Sequence, residues 1–279
     1  MEDMQMGSYS SHQMPLTPGK NIRLTYGYDA QQFGDLYVPD TPGPHPVVIL
    51  IHGGFWRAPY NLSLMSNLAE DLVRHNLAVW NIEYRRIGDP GGGWPGTLQD
   101  VARAADYLAT IAPIYNLDLH KILAVGHSAG GHLALWLAGR ARLTAKHSSS
   151  ANSSSPLRLT AAISQAGAID LHTAWQLNLG NGAVAELLGG GPDDVPGRYA
   201  IANPTALLPL QIPQVLIHGT QDDRVPLRVS QMYQQKALVT GDTVHLIELP
   251  GADHFVLIEA ASAAWATTIG EIRRLLHLV

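Results

Sequence analysis

The chain has 279 residues, of which 46% are hydrophobic and 15% are charged, and its net charge is −5. This balance supplies enough apolar side chains for a sizeable buried core and argues against a disordered chain. The sequence contains no run of Lys or Arg, so we expect neither nucleic acid nor an anionic membrane to be a partner. Because cysteine is absent, disulfides, thiolate catalysis and cysteine-bound metals are excluded.

The first 20 residues differ in character from the rest of the chain. They contain early acidic residues and no apolar core, which does not match a signal peptide. We interpret residues 1–20 as a flexible lead-in and expect residues 21–279 to form a single domain. No stretch approaches the length of a membrane span, and the default expectation is a soluble, cytoplasmic protein. The sequence leaves the oligomeric state open, with a homodimer as one option.

Short apolar, β-branched segments alternate with helical patterns along most of the chain. The early segments NIRLTYG and QFGDLYVP predict an antiparallel hairpin at a sheet edge. Further strands are predicted at Pro46–His52, Leu77–Tyr84, Lys121–His127, Leu159–Ala166, Pro213–Gly219 and Thr243–Pro250. Helices are predicted at Leu62–His75, Thr97–Ile111, Ala129–Ala141, Leu227–Leu238 and Ala260–Leu278. This alternation predicts an α/β fold of the doubly wound class, with a mostly parallel eight-stranded sheet and helices on both faces.

One region interrupts the alternation of strands and helices. The Ser-rich segment KHSSSANSSSP, residues 146–156, is predicted to be a loop. A helical, glycine-containing insert follows at about residues 172–205, within the single domain. Because ligands of open α/β sheets bind outside the carboxyl ends of the strands, we expect this insert to form a lid or a pocket wall.

The segment VGHSAGGHLALW combines the end of a strand, a serine between glycines and the start of an apolar helix. Ser128 therefore falls at a strand-to-helix turn, where a nucleophile is exposed above the sheet. The glycines on either side allow neighbouring backbone to approach closely. The alternative is that small residues at this corner only permit tight packing of the helix on the strand.

A serine hydroxyl needs a base that takes its proton, and the base is usually a histidine oriented by a carboxylate. Asp222 follows a buried strand and His254 follows the last strand, so both should lie at the same sheet edge as Ser128. The order Ser, acid, His is that of hydrolases built on this turn. Asp223 competes with Asp222 for the role of the acid, and we favour Asp222.

The segment IHGGFWRAPY follows the first parallel strand and has two adjacent glycines. Its backbone amides at Gly54 and Phe55, together with that of Ala129, are the predicted donors to an oxyanion. An ordinary glycine turn is the alternative for this loop. Trp56 and Trp94 are candidates for substrate binding, and structural anchoring of their loops is an equally weighted alternative.

A metal site is disfavoured, although the chain has 13 histidines. His127 and His132 are five residues apart and do not share one helical face, and no HExxH pattern occurs. We interpret these two histidines as packing residues around the turn at Ser128. The sequence predicts neither a metal nor a cofactor.

The segments HGGFW, EYRR, GHSAGGHLALW, HGTQDDRVP and ADHF, in this order, resemble the α/β-hydrolase superfamily of serine esterases. Within it, the chain is similar to the kynurenine formamidase (arylformamidase)-like and feruloyl/acetylxylan-esterase-like group. The resemblance runs from about Pro46 to the C-terminus. It implies the roles predicted above for Ser128, Asp222 and His254. Phe55 departs from the HGGG pattern of hormone-sensitive lipases, which leaves the identity of the exact oxyanion donors less defined.

These features predict a serine hydrolase that cleaves small carboxylic esters through an acyl-enzyme. The expected substrate is a small, neutral acyl or aryl ester, because the segments around the site are apolar and aromatic. An arylformamidase that hydrolyses N-formylkynurenine is the first alternative. A non-catalytic binding protein with the same fold is the alternative from another class.

Overall fold

The computed structural model describes residues 21–143 and 156–278. The predicted lead-in at residues 1–20 and nearly all of the Ser-rich segment lie outside the described residues. Among the helices that the structure describes, none combines the length and the apolar character that crossing a bilayer requires.

One eight-stranded sheet forms the centre of the fold, which confirms the predicted fold class. The strands are β1 (Ile22–Thr25), β2 (Phe33–Tyr37), β3 (His45–Ile51), β4 (Ala78–Ile82), β5 (Leu117–His127), β6 (Ala161–Gln165), β7 (Gln214–Gly219) and β8 (Val244–Leu249). Their order across the sheet is β1-β2-β4-β3-β5-β6-β7-β8. The hairpin of β1 and β2 is antiparallel and lies at one edge, and β2 pairs with β4 in an antiparallel manner, while the six strands from β3 to β8 run parallel to one another.

Helices cover both faces of this sheet. Their bounds are α1 (Ser66–Arg74), α2 (Gly96–Tyr115), α3 (Ala129–Gly139), α4 (Leu171–Gln176), α5 (Ala183–Leu188), α6 (Pro196–Ala202), α7 (Arg228–Val239) and α8 (Ala263–Leu275). Apolar side chains of α2, α3 and α7 form one buried cluster with the sheet. Those of α1 and α8 form a second cluster on the opposite face. Because central parallel strands are buried on both faces, they are near-continuous apolar segments in the sequence.

The largest differences from the predicted bounds occur where tertiary pairing extends or splits an element. Strand β5 begins at Leu117, before the predicted start, because its first residues pair with His45 and Pro46 of β3. The first predicted helix is divided into a 3-10 turn at Leu62–Met65 and the helix α1.

The insert predicted at about residues 172–205 contains α4, α5 and α6. Its apolar side chains belong to the main core cluster, and Leu187, Leu188 and Tyr199 are almost completely buried. The glycine-containing segment between α4 and α5 contacts the loop after β3, since Gly180 packs against the Phe55 ring. The insert therefore supports this loop as part of the same core.

Candidate active site

Ser128 connects β5 to α3 in an unusual backbone conformation. Its φ of 56° and ψ of −118° belong to a region that non-glycine residues rarely adopt, and such strain is concentrated at functional sites. A Cβ on Gly126 would lie 1.9 Å from the carbonyl oxygen of Gly130, and a Cβ on Gly130 would lie 2.0 Å from that of Ile51. Glycine is thus required on both sides of the serine. The turn is the strand-to-helix corner that the sequence predicts.

His254 and Asp222 meet above the carboxyl ends of the last two strands. Nδ1 of His254 lies 2.7 Å from Oδ2 of Asp222, and both side chains are buried. Because an ionised carboxylate only accepts hydrogen bonds, Nδ1 carries the proton, and Nε2 is left as the basic nitrogen of the ring. The predicted histidine and the favoured acid are therefore joined in the arrangement that orients a general base.

The environment of Asp222 keeps its carboxyl group ionised. Burial alone would raise its pKa, but hydrogen bonds from His218 and His254 and from the amide of Val225 lower the pKa well below its ordinary value. The competing Asp223 is 71% exposed and lies 3.4 Å from Arg224. The geometry connects His254 to Asp222 and leaves Asp223 at the surface.

Two further histidines support these side chains. The Nε2–H of His127 donates to the carbonyl oxygen of His254 at 2.9 Å, and the two rings lie 4.5 Å apart. Nε2 of His218 lies 2.8 Å from the carbonyl oxygen of Val225 and 3.3 Å from Asp222. Burial is the main cause that lowers the pKa of His127 to about 3, and the neighbouring His254 contributes to the same shift. His127 is therefore a neutral donor at neutral pH.

The loop after β3 forms a tight turn. The amide of Arg57 donates to the carbonyl oxygen of Gly54 at 3.0 Å, and the two residues between them, Phe55 and Trp56, have φ values of 51° and 57°. Consecutive left-handed conformations at non-glycine residues are strained and need support from the surrounding structure. An ion pair of 2.8 Å between Arg57 and Glu186 connects the turn to α5.

Two backbone segments at this site carry amides that could bind an oxyanion. Ala129 is the first residue of α3, so its amide has no acceptor within the helix. Gly54 and Phe55 belong to the turn after β3 and line the cavity that contains Ser128. These are the three residues that the sequence predicts as donors.

Ser128 and His254 line one cavity with a volume of about 100 Å³. Its other lining residues are Gly54, Phe55, Tyr60, Leu64, His127, Arg224, Phe255 and Ile258. Pockets for drug-sized ligands span roughly 300–1,000 Å³, so this cavity accommodates only a small group. Larger parts of a ligand would lie at its mouth, where Tyr60 and Phe255 are partly exposed.

Trp56 and Trp94 are absent from the lining of this cavity, so its geometry adds no support to the prediction that they bind substrate. The Trp56 side chain is 1% exposed, and its indole N–H donates to Nδ1 of His132 at 3.2 Å. Trp94 packs against the core, and its amide donates to the carbonyl oxygen of Leu187. The contacts of Trp56 fit the alternative of structural anchoring, and for Trp94 both alternatives stay predictions.

Sequence reasoning missed several wall residues of the cavity, namely Tyr60, Leu64, Arg224, Phe255 and Ile258. Proximity to Asp222 and His254 in the chain is a signal for Arg224 and Phe255. Tyr60 ends the segment IHGGFWRAPY, so its proximity to Gly54 and Phe55 is a comparable signal. No local pattern identifies Leu64 and Ile258, which reach the site through tertiary folding.

The part of the chain that the structure describes contains no set of side chains arranged for a metal. Within residues 21–143 and 156–278, no group of three or more His, Asp or Glu side chains has a metal-binding arrangement. His132 lies between the Trp56 indole and the carbonyl oxygen of Ala202, away from the cavity. The histidines around the turn at Ser128 thus have hydrogen-bond partners within the protein.

The doubly wound sheet, the serine at its strand-to-helix corner, and the acid and histidine after β7 and β8 define an α/β-hydrolase fold. The BD-FAE family model matches residues 35–237, and the chain belongs to this family.

Sequence relatives include esterases and formamidases. Kynurenine formamidase of Meyerozyma guilliermondii is 38% identical over 115 residues, which cover 40% of each protein. The probable isoprenylcysteine alpha-carbonyl methylesterase ICMEL1 of Arabidopsis thaliana is 28% identical over 142 residues, covering 47% of this chain and 29% of that protein. The chain therefore matches less than half the length of either relative.

Similar solved structures share the fold. Esterase B from Lactobacillus rhamnosis superposes with a TM-score of 0.78 at 22% identity, covering 93% of this chain and 85% of that one. The bifunctional GH43-CE protein of Bacteroides eggerthii also has a TM-score of 0.78, at 24% identity, over 93% of this chain and 38% of that chain.

Proposed function

We propose that this protein is a serine hydrolase that cleaves small carboxylic esters through an acyl-enzyme. The observation that carries the proposal is that three groups come together: Ser128 and His254 line one cavity, and Nδ1 of His254 lies 2.7 Å from Oδ2 of Asp222. This combination supplies a nucleophile, a base and an orienting carboxylate. Membership of the BD-FAE family and the esterases among the relatives support the same reaction class.

In the proposed mechanism, Oγ of Ser128 attacks the ester carbonyl while Nε2 of His254 takes the hydroxyl proton. Asp222 keeps the imidazole oriented and stabilises the imidazolium that forms. The negative charge of the tetrahedral intermediate is received by the amides of Ala129 and of Gly54 or Phe55. Each such donor contributes about 3–4 kcal/mol of transition-state stabilisation in comparable sites.

Collapse of the intermediate breaks the bond to the leaving alcohol. His254 returns its proton to the leaving oxygen, and the acyl group remains on Ser128 as an ester. Water then enters, loses a proton to His254 and attacks the acyl-enzyme, so the carboxylic acid is released and Ser128 regains its proton. The small cavity favours a short acyl group such as acetyl, with a larger leaving group at the mouth.

Hydrolysis of a formamide is the second candidate. It is favoured by the 38% identity with a kynurenine formamidase over 115 residues and by the small size of the cavity. The same nucleophile, base and oxyanion donors would act on an N-formyl amide. A kinetic panel of 4-nitrophenyl acetate, 4-nitrophenyl decanoate, methyl ferulate and N-formylkynurenine separates the two candidates by their kcat/KM values.

The test of the mechanism is Ser128→Ala with Ser63→Ala as the matched control. Ser63 is an exposed serine outside the cavity. We expect Ser128→Ala to lower kcat by a factor on the order of 10⁶, as removal of a triad serine does elsewhere, and to abolish covalent labelling by a fluorophosphonate. Ser63→Ala should retain both.

A kcat of Ser128→Ala close to that of wild type would contradict the assignment of Ser128 as the nucleophile. The absence of turnover across the panel, together with no fluorophosphonate labelling of the wild-type chain, would instead favour the non-catalytic binding protein.

A further inference from the structure

Arg224 gives the mouth of the cavity a charge that the rest of its wall lacks. Among the described residues that line the cavity, Arg224 is the only one with a permanent charge. The lining residues that the structure describes include His127 and His254 but no Asp or Glu. The other walls are apolar or aromatic. A ligand at this mouth therefore meets a single guanidinium next to Ser128 and His254.

The backbone at Arg224 is held by the same carboxylate that orients the base. Oδ1 of Asp222 accepts hydrogen bonds from the amides of Arg224 and Val225, both at 2.8 Å. Oδ2 of the same carboxylate contacts His254. The backbone of Arg224 is thus held near His254 by a compact turn that both residues share through Asp222.

The guanidinium of Arg224 forms a long, exposed ion pair with the neighbouring Asp223. Nε of Arg224 lies 3.4 Å from Oδ1 of Asp223, and the two side chains are 55% and 71% exposed. Ion pairs between exposed side chains contribute little, and the guanidinium carries five N–H donors. Arg224 thus retains donors for a second acceptor.

A second arginine, Arg57, already uses its guanidinium in contacts within the protein. Nε of Arg57 lies 2.8 Å from Glu186, and its terminal nitrogen donates to the carbonyl oxygen of Asn181. Arg57 is absent from the wall of the cavity. Arg224 is therefore the arginine that a ligand at this site would meet.

We propose that Arg224 forms an anion subsite, and that the preferred ester carries a carboxylate or a comparable anionic group close to the scissile bond. This inference rests on the proposed ester hydrolysis and replaces the expectation of a neutral substrate. The planar guanidinium binds a carboxylate through paired hydrogen bonds, while Tyr60 and Phe255 offer aromatic surface to the adjoining part of the substrate.

The test compares esters that differ only in charge. One pair, 4-acetoxybenzoate and 4-acetoxybenzamide, places the carboxylate or its neutral amide on the leaving group. A second pair, the mono-4-nitrophenyl ester of adipic acid and its terminal amide, places the same groups on the acyl side. For each pair, the ratio of kcat/KM for the anionic ester to that for the amide is measured in wild type and variants, so intrinsic reactivity cancels.

We expect Arg224→Gln to lower this ratio about tenfold in one of the pairs, which corresponds to about 1.4 kcal/mol. Arg224→Lys should preserve part of the preference, because it keeps the charge but not the paired donors. Arg228→Gln is the matched control, since Arg228 is exposed on α7 and does not line the cavity. This control should leave the ratio unchanged.

Salt provides an independent measurement. Because the screening length is about 3 Å at 1 M ionic strength, added NaCl should reduce the wild-type ratio and have little effect on that of Arg224→Gln.

The outcomes separate this inference from the proposed function. Ser128-dependent hydrolysis with the same ratios in wild type and Arg224→Gln, for both pairs, overturns the anion subsite and leaves the esterase proposal intact. An equal fall in the ratio for Arg228→Gln also overturns it, because the effect would then be one of general surface charge. If wild type hydrolyses none of the four esters, both proposals fail.

Discussion

Acidification should destabilise this protein through two buried histidines, of which His132 offers the simpler test. Its ring is completely buried, with Nε2–H donating to the carbonyl oxygen of Ala202 at 2.9 Å and Nδ1 accepting from the Trp56 indole at 3.2 Å. A second proton would place Nδ1–H against the indole N–H and a charge in the core. Burial lowers the pKa of His132 to about 4, although the hydrogen bond to the Ala202 carbonyl acts in the opposite direction. Burial also lowers the pKa of His127, to about 3.

The sign of the effect follows from proton uptake by the unfolded chain. Unfolded histidines titrate near pH 6.5, whereas the folded rings stay neutral until pH 4 or below. Between these values the unfolded state binds the additional protons, so the free energy of unfolding falls with decreasing pH by about 1.4 kcal/mol per unit per histidine. At pH 5 each histidine removes about 2 kcal/mol relative to pH 8, and the two together remove about 4 kcal/mol.

Urea unfolding at pH 8, 6.5 and 5 measures this loss. His132→Gln preserves a donor and an acceptor without a titrating group, so its loss of unfolding free energy between pH 8 and pH 5 should be smaller by about 2 kcal/mol than that of wild type. His120→Gln, at an exposed position, should show the wild-type loss. The lowered pKa of the Asp222 carboxyl contributes stability that is lost only below its unfolded value of about 3.9, outside this window. An identical loss in His132→Gln and wild type would refute the argument.

Two further predictions concern the acid and the turn at Ser128. Asp222→Asn should lower kcat by about 10⁴-fold because it supports the wrong tautomer of His254, and the kcat of Asp223→Asn should stay within about tenfold of wild type. Steady-state kinetics on 4-nitrophenyl acetate measure both values. A larger loss of kcat in Asp223→Asn than in Asp222→Asn would assign the acid to Asp223. Gly126→Ala should destabilise the fold by more than about 3 kcal/mol through its contact with backbone, whereas Gly197→Ala, with nothing within 4 Å, should change stability by less than about 1 kcal/mol. Thermal unfolding compares the two, and equal melting temperatures would contradict the steric argument.

The sequence alone was sufficient to predict the sheet and the strand-to-helix corner at Ser128. Strands and helices have characteristic periods of apolar residues, which can be recognised in the sequence without knowing any distant contact. Ser128 could be placed at a strand-to-helix turn because the apolar strand, the glycines and the helix are adjacent in the chain. The placement of Ser128, Asp222 and His254 at one edge could likewise be predicted, because each follows a strand and the carboxyl ends of parallel strands meet at one edge of the sheet.

The direction of loop side chains required the tertiary structure. Trp56 was a candidate for the substrate pocket, yet its indole pairs with His132, 76 positions later in the chain, and is buried. The sequence favours Asp222 over Asp223 without excluding the latter, since adjacent residues in a turn point in different directions. In the structure, the Asp222 carboxylate contacts His254 and Asp223 is exposed.

Local patterns and chain order were enough to predict which segments form the α/β layers and which residues lie at the carboxyl edge of the sheet. The tertiary structure alone decided the walls of the cavity, because Tyr60, Arg224 and Phe255 come from three separate loops. Their proximity depends on the packing of the whole sheet and its helices. The charge at the mouth, and with it the class of substrate that we infer, is a property of that packing.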